Sequence, residues 1–269
     1  MKTILSILAG VLALSLVVTI ATADDNEPTF AEQFQKQLGD LMPNLAKGDR
    51  NAQQNLQQTC FAAGTPGRDA DRAAAVTIIA TTLEGELEKP AKVWLIKQCQ
   101  HIGDEQCVAV LTKSLGDGDI HISDAARRAL TDNPSAAANE ALAAKLKSTK
   151  GSGRIPLINS LGYRADAASI TPLAGLLKDK DAKTASAAAI ALGKIATPDA
   201  AKALTSALGS APDAVKTDIA DACLACAEKL LSQGDRKEAI VIYTDLSKAD
   251  VDKEIRLAAV RGKLKATGN

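Results

Sequence analysis

The chain has 269 residues, 46% hydrophobic but only 2% aromatic, so its apolar content comes from Ala, Leu, Ile and Val. That composition suits close helix-on-helix packing better than a β-sandwich and sets an all-α expectation. The 32 basic and 32 acidic side chains cancel, which leaves no global field to draw in DNA, RNA or an anionic membrane surface, and no nucleic-acid partner is expected.

At the N-terminus, Met1-Lys2 is positive, Ile4 to Ile20 is an apolar run, and Ala21-Thr22-Ala23 is a small-residue site before Asp24-Asp25. This is the pattern of a signal peptide, residues 1–23, cleaved after Ala23. The alternative is an uncleaved anchor, for which the run is at the short end. No Cys follows it, which argues against a lipoprotein. The expected location is periplasmic or extracellular, without stable membrane insertion after cleavage.

Residues 24–68 read as an N-terminal cap and a divergent hairpin: Phe30 to Leu45 and Asn51 to Ala63 are helical, separated by Lys47-Gly48-Asp49 and ended by Gly64-Thr65-Pro66-Gly67. A third helix is expected from Asp69 to Leu87. Cys60 follows Gln58-Thr59 much as Cys99 follows Lys97-Gln98, which makes Asn51 to Ala63 the first helix of that hairpin.

From 69 to 216 the chain repeats itself. Cys99, Leu130, Leu161, Leu192 and Cys223 are each 31 residues apart, as are Leu95, Ala126, Leu157, Ala188 and Ile219 one helical turn earlier. Two further columns, Leu111, Leu142, Leu173, Leu204 and Leu115, Leu146, Leu177, Leu208, are four residues apart within each unit, which is helical spacing. Between the apolar blocks the same offset aligns Asp104, Ser135, Asp166 and Thr197, whose side-chain oxygens suit the N-cap of a second helix. Pro198 after Thr197 is placed for a first helical position. Asp117, Ser148, Asp179 and Ser210, with nearby glycines, mark the turns between units. Each unit is therefore a helical hairpin that buries its apolar face only by stacking on its neighbours, and the expected architecture is a right-handed α-solenoid.

Ala187 to Ile195, then Thr197-Pro198-Asp199-Ala200 and Leu204 to Leu208, resemble the short HEAT-like repeat also found in bilin lyases. The resemblance covers roughly residues 90–216. It implies hairpins with outer first helices, second helices lining a concave surface, and a role in protein contacts.

The register breaks after Cys226: Ile242 and Leu246 arrive 38 residues after Leu204 and Leu208, an insertion of seven. Residues 217–252 are similar to a longer, tetratricopeptide-type hairpin turning at Gln233-Gly234-Asp235. Residues 253–269 read as a terminal helix, either a cap or the first half of a further repeat in a chain that continues past Asn269.

Five cysteines in an exported chain raise a disulfide or a metal site. Cys99, Cys223 and Cys226 occupy apolar columns, where a thiol packs as a small hydrophobe. Cys60 with Cys99, or Cys99 with Cys107 across a turn, are the pairings to consider, although equivalent positions of neighbouring hairpins are roughly 9 to 10 Å apart, beyond disulfide reach. The two histidines, His101 and His121, match no zinc spacing, and His101 shares a variable rim column with Asp132, Tyr163 and Lys194. Trp94 adjoins the core column and is expected to pack on the N-terminal hairpin.

No nucleophile elbow, phosphate-cradling loop or H-E-x-x-H is visible. No catalytic residue, cofactor or metal ligand is named, and the chain is read as non-catalytic. The expected function is a protein-binding scaffold or adaptor, with Lys113, Lys145, Leu176 and Ser206 on the second helices and Tyr163 at the rim as candidate partner contacts. The alternatives are an accessory repeat segment of a larger exported polypeptide and, further off, a lyase-type enzyme.

Overall fold

The structure, a computed structural model, describes residues 27–268; the expected leader and its cleavage after Ala23 lie outside them. The described residues form fourteen α-helices and no strands. A lone first helix, α1 (Phe30–Leu45), precedes a hairpin of α2 (Arg50–Ala63) and α3 (Asp69–Glu84). Four further hairpins follow: α4 (Lys89–Ile102) with α5 (Val108–Leu115), α6 (Ile120–Asp132) with α7 (Ala136–Ser148), α8 (Arg154–Arg164) with α9 (Ile170–Leu176), and α10 (Ala182–Ile195) with α11 (Pro198–Leu208). The longer pair α12 (Asp213–Gln233) and α13 (Arg236–Lys248) comes next, then α14 (Lys253–Thr267).

Like helices stack on like. The first layer runs α2, α4, α6, α8, α10, α12, α14 and the second α1, α3, α5, α7, α9, α11, α13, so the fold is a two-layer α-solenoid. The repeated columns are its core: every member of the four columns, from Leu95 to Cys223 in the first layer and Leu111 to Leu208 in the second, is buried. α1, α2 and α3 pack against one another. The third helix stops earlier than expected, at Glu84 before Gly85.

The caps follow the sequence column. Ser135 accepts from the Ala137 N–H and Thr197 from the Ala200 N–H, each opening an α-helix directly. Asp104 and Asp166 accept from Gln106 and Ala168 but open three-residue 3-10 turns that lead into α5 and α9. Arg164 at the end of α8 crosses to the preceding hairpin and donates to the carbonyls of Leu130, Thr131, Asn133 and Ser135. It thereby satisfies orphan acceptors at the C-terminus of α6, where a cation is also favoured by the helix dipole.

At the N-terminal end, the Trp94 indole donates to the Gln53 carbonyl at 3.0 Å, so Trp94 packs on α2 as expected. At the other end, α12 closes with Gly234 in the left-handed region (φ 96°), a conformation that costs a residue with a Cβ. Gly262 on α14 lies against the buried Tyr243 ring of α13. On α14, Leu257, Val260 and Leu264 are exposed, interspersed with the exposed Glu254, Arg261 and Lys265. No described helix is long and apolar enough to cross a membrane.

Candidate functional site

In the first layer, helices approach through small residues. A Cβ added at Gly162 of α8 would lie 2.7 Å from Ala191 Cα on α10, and one at Gly193 of α10 would lie 3.0 Å from the Ala222 carbonyl oxygen on α12. Interaxial distance is set by the side chains at the contact, so these glycines let α8, α10 and α12 approach closely. The same glycines leave a floor without side chains between taller neighbours.

That floor belongs to a groove of about 600 Å³ walled by α8, α10 and α12. Tyr163, 69% exposed, and Ile190, 48% exposed, stand on its α8 and α10 walls. Asp218 and Asp221 line the α12 wall. Burial, reinforced by the like charges of Asp218 and Asp252, pushes the Asp221 carboxyl above its ordinary range. Asp218 accepts from the Ser186 hydroxyl, and Lys229 donates to the Lys194 carbonyl.

Tyr163 is also a wall of a second first-layer groove of about 520 Å³, shared with Gln100, Arg127, Arg128 and Asp132. Here Arg127 donates to Ser160 at 2.7 Å and both Arg127 and Arg128 pair with Asp124. Burial works against ionisation of Asp124, but the two guanidinium groups outweigh it and hold its carboxyl below the usual range. A third hollow, about 460 Å³, lies between α2, α4 and α6 and includes His101 and His121. His101 stacks edge-on against Phe61, 4.9 Å between ring centroids. The grooves therefore follow two columns four residues apart, one through Lys97, Arg128, Ile190 and Asp221 and the other through His101, Asp132, Tyr163 and Lys194.

The three grooves described so far all lie on the first layer. The hollows walled by second-layer residues, near α11 and α13, are smaller, about 280 and 380 Å³. The physical reason is the position of the glycines, which tighten the first layer. Of the candidate contacts, Lys113 and Ser206 are exposed and Lys145 and Leu176 half-buried, all on the second layer. Leu176 packs against the core. None of the four lines a groove described here, and only Tyr163 does. Ile190, Asp218 and Asp221 were missed by sequence reasoning; the signal that marks them is the pair Gly162 and Gly193, 31 residues apart inside helices.

All five cysteines are buried thiols. Burial pushes the Cys60 and Cys223 thiols up to about 12 and Cys226 to about 11, as expected of cysteines that pack as hydrophobes. Among the described residues, no group of three His, Cys, Asp or Glu is placed to hold a metal ion.

In sequence, residues 139–224 match the HEAT-repeat family. No curated protein matches the chain. Solved structures similar to it include an engineered protein, 21% identical over 80% of this chain and 97% of that one with a TM-score of 0.42. Human deoxyhypusine hydroxylase is 14% identical over 88% and 98%, with a TM-score of 0.38. A designed armadillo repeat protein in complex with the peptide (KR)4 is 18% identical over 87% and 99%, with a TM-score of 0.34. All three are distant, and the architecture rests on the helices themselves. The family match covers residues 139–224, and the same hairpin stacking continues on both sides of it.

Proposed function

We propose that this chain is a non-catalytic scaffold that binds a segment of a partner protein along the first-layer groove, in the periplasm or outside the cell. The observation that carries the reading is the pair Tyr163 and Ile190, a large ring and an aliphatic side chain held in solvent on adjacent helices above a glycine floor. Apolar anchors beside a concave surface, flanked by charges, are the anatomy of a protein interface rather than of a solvated helix face. Repeat solenoids offer such surfaces as a consequence of their curvature. The leader-like pattern of residues 1–23 supports the location, and the balanced charge supports a protein rather than a nucleic acid as partner.

Site-specific photocrosslinking tests it. A photoreactive residue is placed at Ile190 or, separately, at Lys113 in the chain from Asp24 onward, and each variant is incubated with envelope extract of the native organism. The expected outcome is a discrete cross-linked partner from position 190 that disappears when Tyr163→Ser is added. Cross-links from position 113 alone would move the site to the second layer, and none from either position would sink the scaffold reading.

A further inference from the structure

Cys99 lies in the last turn of α4, and Cys107 ends the 3-10 turn Glu105–Cys107 that leads into α5. Both are buried, and the Cys107 thiol donates to the Cys99 sulfur at 3.3 Å. A sulfur–sulfur bond is roughly 2.05 Å long, so the two atoms need to close by little more than an ångström. The seven residues between them are the end of α4, Gly103, Asp104 and the start of the 3-10 turn. Cys60 on α2 is a third thiol near enough to influence Cys99 electrostatically, but it is Cys107 that touches the Cys99 sulfur.

We propose that Cys99 and Cys107 are an oxidation site that forms a disulfide joining the two helices of one repeat, with a small-molecule or protein disulfide as the oxidant. Cys107 is the first nucleophile, because it ends the 3-10 turn and is released when that turn opens, whereas Cys99 is held inside α4. The Cys107 thiolate attacks one sulfur of the external disulfide, whose S–S bond breaks and releases one thiolate. Cys99 then gives up its proton and attacks the Cys107 sulfur, forming the internal bond and expelling the second thiolate. Two protein thiols are oxidised and one external disulfide is reduced to two thiols. Since both sulfurs are shielded in the folded chain, the exchange occurs as the hairpin forms or during local opening of the 3-10 turn.

Peptide mapping tests the proposal on the whole chain from Asp24 onward. The protein is equilibrated with a mixture of oxidised and reduced glutathione, denatured, alkylated and digested without reductant. Trypsin keeps both cysteines in one peptide, Gln98 to Lys113, and a glutamyl endopeptidase then cuts after Glu105 between them. The expected result is that the fragments Gln98–Glu105 and Gln106–Lys113 remain joined, lack the alkyl label, and separate on reduction. Joining should also raise Tm by a few degrees over the reduced protein, a difference absent from Cys107→Ala. Full alkylation of both cysteines after oxidation, or a bridge from Cys99 to Cys60 instead, would overturn the proposal.

Discussion

Arg154 donates to both carboxylate oxygens of Asp179, at 2.6 and 3.1 Å, and so ties the start of α8 to the turn that follows its partner helix α9. Asp179 also accepts from the Asp181 N–H, bracing that turn. Two units earlier Lys92 pairs with Asp117 at 2.8 Å and Asp117 accepts from the Asp119 N–H. Two units later Lys216 pairs with Asp250 at 2.8 Å. Lys92, Arg154 and Lys216 are 62 residues apart, so every second hairpin is closed at its open end by the same cation–carboxylate latch.

The latch sets an acid dependence. Hydrogen bonding to Arg154, followed by the Asp181 N–H, holds the Asp179 carboxyl below its ordinary value. A carboxyl depressed on folding contributes stability that is complete above the unfolded pKa, near 4, and is lost as pH falls through the lower folded value. Asp179→Asn should therefore destabilise the protein by about 1 kcal/mol at pH 7, a modest sum for a pair that faces water on one side. The deficit relative to wild type should shrink as pH falls below the unfolded value and vanish below the lower folded one. Urea titrations of both proteins at several pH values measure it; a deficit that stays constant into acid would contradict the assignment.

Helix interiors ordinarily gain about 1 kcal/mol when Gly becomes Ala. Gly39 in α1 has open space around its missing Cβ and should follow that rule, with Gly39→Ala raising the unfolding midpoint. Gly162→Ala should do the reverse and cost about 1 to 3 kcal/mol, since the added methyl meets the α10 backbone and α8 must shift. Thermal melts of the two single variants decide the sign of each.

Arg164 satisfies four carbonyls of the preceding hairpin. Replacing it with Met keeps most of the side-chain volume but orphans the carbonyls of Leu130, Thr131 and Asn133, at an expected cost of about 2 to 3 kcal/mol. Hydrogen exchange should rise first at the C-terminus of α6; uniform loosening of the whole chain would argue against a local cap.

Thr197 is the simplest cap in the array, accepting from the Ala200 N–H ahead of Pro198. Thr197→Ala should lose about 0.5 to 2 kcal/mol and Thr197→Ser should recover most of it. Equal losses from both substitutions, read by denaturant unfolding, would exclude the hydroxyl as the source.

Cys60, Cys223 and Cys226 should resist thiol reagents in the native state at pH 8, because burial holds each thiol well above that pH. Labelling with a chromogenic disulfide should therefore track unfolding as denaturant is added. Immediate modification of Cys223 or Cys226 in the absence of denaturant would contradict the packing described.

The hairpins, their register and their core were legible in the chain, because a residue buried between stacked units must be apolar in every unit. Leu111, Leu142, Leu173 and Leu204 report that requirement at a fixed interval. The cap column was legible for the same reason, since each second helix starts with free N–H groups that need an oxygen. Whether Asp104 and Asp166 introduce an α-helix or a 3-10 turn was not, because the two differ by one hydrogen-bond register that packing selects.

The class, the period and the buried faces of this protein thus follow from repeated local patterns along the chain. The tertiary structure decided which layer is tight, and with it where the grooves lie. Gly162 and Gly193 read as weak helix positions until Ala191 and Ala222 are seen against them, and only that contact places Tyr163 and Ile190 on the walls of one groove. The Cys99–Cys107 contact belongs to the same category: eight residues of spacing allow many separations, and the turn between α4 and α5 selects one. Periodicity records what each unit buries, whereas surface shape depends on distances between units, which no single repeat encodes.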